Sequence, residues 1–323
     1  MIDVLSVRGM GKVGAQGCGS EGQMSSTQVR WLLVVGVLIL LGSAESAWAW
    51  GPATHVYLAN QLLARAGLLS AGLAALLVRH ARHFLYGNIA ADVVLGKRLS
   101  KVKHGCHRWS VPRALLQAAR SGEQEAFAYG YLAHLAADVV AHNKFLPRQL
   151  LLSGTTMNFG HLFWEIRGDS CVGARCWDQL HDVLTGSFPQ HERSLERQLA
   201  DTLLPFETNL TIFNGMHLLT CAQRWRKMMV GWSQLSRWGL DQPLLMAYRD
   251  ESLGLMQLAL DRTDDPWLLQ QEPSGAATLK QVRRDRRLLR GLSWQGPGGR
   301  WLAGDMAEAY SPAASALPET SVA

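Results

Sequence analysis

No stretch of this 323-residue chain alternates apolar and polar residues over the length of a strand, and no internal repeat of solenoid length is present. A β-sheet architecture and a solenoid are both excluded. The apolar run at residues 31–42 is shorter than the roughly 20 residues that a bilayer span requires. Charge is sparse, 18% of residues against 48% apolar, a globular balance that excludes a disordered chain and a polytopic one. Cysteine is also sparse, five in all. Cys18 precedes the apolar run and is no lipoprotein cysteine. The spacing of Cys171 and Cys176 does not resemble a zinc knuckle, so disulfide or free thiol is expected there and at Cys106 and Cys221.

What is present begins near the N-terminus. Arg30 precedes the run WLLVVGVLILLG, and small and polar residues lead from it to Ala47-Trp48-Ala49. A basic residue, a short apolar stretch and an A-x-A site in that order read as a signal peptide over 1–49, cut before Trp50. Met24 would be a more ordinary start for it than Met1. The expectation is an exported protein, periplasmic or secreted. The net charge of +6 suits an anionic partner without selecting one.

Beyond residue 50 the apolar residues recur at three- and four-residue intervals. Helices are predicted at 54–66, 70–85, 112–120, 125–145, 157–167, 190–204, 209–236 and 243–262, with Gly and Pro, Gly87 and Pro147 among them, punctuating the joins. The fold class is all-α, a compact multi-helix domain over 50–292. Residues 293–323, rich in Gly, Ala, Ser and Pro, read as a flexible tail.

The segment EAFAYGYLAHLAADVVAHNKF is apolar enough to be a buried helix, yet it carries His134, Asp138 and His142. Residues i, i+4 and i+8 share one helix face. A carboxylate among Ala, Leu and Val is costly unless a cation or several donors compensate it, and zinc does so directly. A solvent-facing polar stripe is the plainer alternative. His161 and Glu165 form a second i, i+4 pair on a helix expected to lie antiparallel after a short loop holding Pro147 and Gly154. Asp92 sits in the apolar patch IAADVVL, with His104 and His107 following. Trp50, if it is the new N-terminus, offers an amino nitrogen and a carbonyl near His55.

These elements in this order resemble the zinc-dependent phospholipase C/D family, part of a superfamily with the zinc-dependent single-strand nucleases; the resemblance covers roughly residues 50–167. It implies three zinc ions. Asp92, His107, His134 and Asp138 look like the ligands of a first. His142, His161 and Glu165 look like those of a second, and Trp50 with His55 those of a third that Asp138 bridges to the first. His107 fits the family spacing from Asp92 better than His104. Asp92 would be the catalytic residue, ligand and orienting base at once.

The implied activity is phosphodiester hydrolysis of a phospholipid head group. The alternatives are a single-strand nuclease, for which Tyr57, Tyr86, Tyr131, Phe163 and Trp164 would stack bases, and a relative that binds metal without turnover. No stable nucleic-acid partner is expected. Peripheral membrane contact is suggested by WRKMMVGWSQLSRWGL, with Trp225, Trp232 and Trp238 among cations, and by the basic run Lys280–Arg290. Each also reads as an ordinary amphipathic helix. His80, His83, His181, His191 and His217 are expected at the surface or behind the ligands.

Overall fold

The computed structural model describes residues 50–93, 105–199, 205–236, 238–291 and 297–312. Every regular element among them is helical, so the molecule is all-α. Its axis is one long rod: α5 (Gly122–Val140), a π-helical turn (Ala141–Phe145) and α6 (Leu146–Ser153). Around it lie α1 (Pro52–Ala64), α2 (Ala71–Arg79), α3 (Ala81–Ala90) and α4 (Ser110–Ala118), then α7 (Met157–Asp169), α8 (Ala174–Leu184) and α9 (Pro189–Gln198). The chain continues through α10 (Phe206–Cys221), α11 (Gln223–Leu235), α12 (Gln242–Asp261), α13 (Pro266–Gln270), α14 (Ala276–Gly291) and α15 (Pro297–Glu308).

The rod is central because its sequence is apolar nearly all round. From Ala126 through His142 only Tyr129 is not buried, as expected of a helix with neighbours on every side. Its start is well specified. Ser121 accepts a hydrogen bond from the Gln124 backbone N–H, and Glu123 and Glu125 sit at the positive end of the helix dipole.

Pro147 does not end this rod in a loop, as the sequence suggests; it lies inside it, in the first turn of α6. The proline ring conflicts with the carbonyl four residues back. The preceding turn widens to relieve the conflict, and Leu146 N–H donates to the Ala141 carbonyl five residues away. The Asn143 side chain donates to the Val139 carbonyl at 2.9 Å, occupying an acceptor within the altered register. The loop to α7 is short: Gly154 takes the left-handed conformation at φ 61°, and Thr156 caps α7 by accepting from the Phe159 N–H.

Gly87 also departs from its expected place at a join. It lies within α3, where a Cβ would run into the Phe127 carbonyl oxygen on α5. Gly130 on α5 faces the Phe84 carbonyl in the same way. Two glycines thus let α3 and α5 cross backbone to backbone.

The predicted tail from 293 is corrected in part. Residues 297–308 form α15, which packs against α6 and α14. Leu302, Ala303, Met306 and Ala307 recur at three- and four-residue spacing, and Ala303 and Ala307 are buried. The packed domain therefore reaches past 292. The proposed signal region 1–49, His104, and residues 313–323 lie outside the described residues.

Candidate metal centre

The crossing of α3 and α5 builds the first part of the site. It brings the Asn88 carbonyl within 2.8 Å of His134 Nδ1, so that Nδ1–H donates to it and Nε2 is turned toward Asp138. One turn further along α5, Asp138 is 1% exposed. Asp92 follows the end of α3 and is also buried.

Asp138 is the hub. Its Oδ2 lies 3.0 Å from His107 Nε2, 3.2 Å from His134 Nε2 and 3.5 Å from His142 Nε2. Its Oδ1 lies 3.4 Å from His55 Nε2. Asp92 approaches two of those histidines, with Oδ1 3.4 Å from His107 Nε2 and Oδ2 3.8 Å from His134 Nε2. His55 stacks on His134 with ring centroids 3.9 Å apart. Four elements therefore converge: α1 through His55, α3 through Asp92, the turn before α4 through His107, and the rod through His134, Asp138 and His142.

Of the remaining predicted residues, His161 and Glu165 lie on α7. The His161 ring lies 5.6 Å from that of His142, and Glu165 follows one turn later on the wall of an apolar cleft of about 650 Å³. Trp50 is fully buried beside the start of α1, its indole stacked on Phe145 at 4.5 Å and donating to Ser252 Oγ.

Electrostatics prepare the cluster for a cation. Burial alone would raise the Asp138 carboxyl, but the charges of His134 and His142 and hydrogen bonds from His107 and His134 hold it well below the usual carboxylate range. Burial, reinforced by the neighbouring His134, pushes His55 below its ordinary value of 6.5 and keeps it neutral. Neither ring nitrogen of His55 or His142 is hydrogen-bonded, nor is Asp138 Oδ1. Such atoms cost about 1–3 kcal/mol each when left unpaired. Imidazole nitrogens and carboxylate oxygens are the donor set zinc prefers. Two groups, His55/Asp92/His134 and His107/His134/Asp138, have ligand atoms within 4.8 Å of one another. The residues present fit zinc.

A family model for zinc-dependent phospholipase C matches residues 54–204. Over that span, just under half of the chain, the sequence resembles the zinc-dependent phospholipase C family. The span holds every clustered residue named above except Trp50, and it ends before α10. No curated protein and no solved structure matches the chain.

Several supports of this family site were not legible as motifs. Cys106 Sγ sits 3.3 Å from His107 Nδ1, and the Tyr131 hydroxyl donates to the Cys106 carbonyl at 2.6 Å. Gly275, at φ 58°, abuts His142, and Thr278 Oγ1 donates to Asn143 Oδ1 beside it. Asp169 accepts from Ala53 N–H, Thr54 N–H and Thr54 Oγ1, capping α1 just ahead of His55; Gly51 leaves room for that carboxylate. Burial raises Asp169 to about 6 against those hydrogen bonds. Among the other histidines, His191 and His217 are buried rather than superficial. None of Cys106, Cys171, Cys176 and Cys221 forms a disulfide; Cys171 instead donates to the Arg167 carbonyl and accepts from Gln242.

Proposed function

We propose that this chain is an exported, zinc-dependent phosphodiester hydrolase that removes phospholipid head groups in the manner of a phospholipase C, releasing diacylglycerol. The observation that carries the reading is the buried Asp138 carboxylate shared by His55, His107, His134 and His142, on the rod that also faces the α7 pair. The reading takes three ions, with Asp92, His107, His134 and Asp138 holding one, His142, His161 and Glu165 a second, and Trp50 and His55, with Asp138 shared, a third. Bound zinc supplies a water of lowered pKa and Lewis acidity toward phosphoryl oxygens.

The chain's own groups do the rest. Neutral His55 offers a lone pair without first losing a proton. The Asn88 carbonyl fixes the His134 tautomer. Asp92, at the edge of the cluster, would orient the attacking water and accept its proton on a carboxylate oxygen. The cleft beside Glu165, walled by Leu162, Ile166, Trp177 and Met216, suits the apolar part of a lipid. Its substrate lies in a bilayer, so peripheral membrane contact belongs to this reading. The nuclease alternative loses support because Tyr86, Tyr131, Phe163 and Trp164 are buried and cannot stack on bases.

Metal analysis of the protein beginning at Trp50 should find zinc, and mass spectrometry of products from mixed phospholipids should find diacylglycerol. Asp138→Ala should abolish both zinc content and turnover. An active, zinc-free Asp138→Ala protein would sink the proposal, as would nucleotides from single-stranded DNA with no lipid product; phosphatidic acid would move the cut to the other ester.

A further inference from the structure

The helix α11 differs from the others in the fold. Among residues 223–231, whose side chains are described, none is buried. Yet the helix is rich in large apolar residues. Trp225, Met229 and Val230 line the apolar cleft with Met216 of α10 and Leu162 of α7. Met228 and, near the end of α10, Leu219 do not line it; they are 52% and 49% exposed. The helix is thus a single wall with apolar groups on both sides, the cleft behind and solvent in front. Solvent-facing apolar clusters of this kind mark an interaction surface.

Charge indicates what that surface meets. Between Glu207 and Asp241 the sequence has four cationic residues, Arg224, Arg226, Lys227 and Arg237, and no acidic one. Arg224 is exposed one turn before Met228, and Lys227, also exposed, borders the cleft. Packing this face on a second copy of itself would bring like charges together, which is unfavourable. An anionic lipid surface offers the opposite charge to Arg224, and to Lys227 at the cleft's edge, and an apolar layer to Leu219 and Met228.

We infer that the α10–α11 hairpin docks on an anionic bilayer surface through Leu219, Arg224 and Met228, and so holds the cleft against its lipid. The inference rests on the phospholipid reading above, but the surface lies outside the matched family span and binds independently of the metal centre. A lipid drawn from the bilayer passes the edge of α11 and enters a cleft whose wall carries Glu165.

The test separates adsorption from hydrolysis. Zinc-loaded full-length mature protein is co-sedimented with vesicles of phosphatidylcholine alone and of phosphatidylcholine mixed with phosphatidylglycerol. In parallel, hydrolysis of a monomeric short-chain phospholipid is measured. The wild type should bind the anionic vesicles more tightly, and less so in high salt. Met228→Glu with Leu219→Glu, and separately Arg224→Glu, should each weaken that binding by about tenfold or more, while hydrolysis of the monomeric lipid and the Tm stay unchanged. Variants that sediment like the wild type would overturn the docking face even if hydrolysis is intact. So would a lipid-free dimer, seen by analytical ultracentrifugation, that Met228→Glu dissociates. A wild type that binds vesicles in this helix-dependent way but cleaves no phospholipid would leave the docking face standing and remove the proposed activity.

Discussion

At the residue scale, Asp138 decides how the site is organised. Four histidines approach it, and its two oxygens divide them, Oδ1 toward α1 and Oδ2 toward the rod and His107. That division could be read from sequence only as a cost, since an aspartate in a wall of Ala, Leu and Val demands a counter-charge. Which histidines supply it is a matter of tertiary approach. Gly275 is a case the sequence conceals. Its φ of 58° belongs to glycine, and a Cβ there would lie 2.6 Å from the His142 Cβ and carbonyl oxygen. Gly275→Ala should therefore cost about 1–3 kcal/mol in urea denaturation and lower the zinc content. A variant as stable and as zinc-rich as the wild type would show that the loop does not hold His142.

At the scale of elements, the helices were largely legible because apolar periodicity marks them, and the places where the reading slipped have physical causes. Pro147 is tolerated inside the rod because the π-helical turn before it makes room. Gly87 reads as a breaker in isolation, but between Phe84 and Ile89 it is the gap through which α5 approaches. α15 was hidden because its apolar stripe is built from alanine, leucine and methionine among glycines. The ligand pairs on single helices, His134 with Asp138 and His161 with Glu165, could be read from spacing. The supports from Asn88, Tyr131 and Gly275 could not, because each acts across a long sequence interval. The glycine crossing gives a sharp prediction. Gly87→Ala and Gly130→Ala must each force α3 and α5 apart, destabilising the fold by about 1–3 kcal/mol in chemical denaturation. Because Asn88 and Asp92 ride on or just after α3, zinc affinity by competition with a chelating dye should fall as well. Unchanged values for both would mean the backbone contact is not needed.

At the scale of the whole molecule, buried histidines set the pH response of the metal-free protein. Burial holds His191 and His217 at about 4 and lowers His55 from 6.5. As pH falls below 6.5 the unfolded chain takes up protons that the folded chain refuses, so stability declines through that window. Asp169 acts oppositely. Raised by burial to about 6, it binds its proton more tightly when folded, so its contribution favours the fold as pH falls from 6 toward 3.8. Glu251 and Asp261, also raised by burial, side with Asp169, and His83, lowered by burial, sides with the other three histidines; the four histidines outweigh the three acids. The Tm of chelator-treated protein should be lower at about pH 5 than at about pH 7; an equal or higher value at the acid end would contradict this.

The two glycines at the α3–α5 crossing have a consequence for how stiffness is distributed. Where two backbones touch, no side chain can rotate to absorb a displacement, and neither helix can slide without its carbonyls colliding. The metal end is thus locked by main chain, as befits groups that must keep their distances to within tenths of an ångström. Around the cleft the walls are Leu, Met and Ile side chains, which adjust rotamers readily. On the phospholipid reading proposed above, a rigid end for the phosphodiester and a yielding one for chains of varied length and saturation would let one protein accept many lipids without retuning its chemistry.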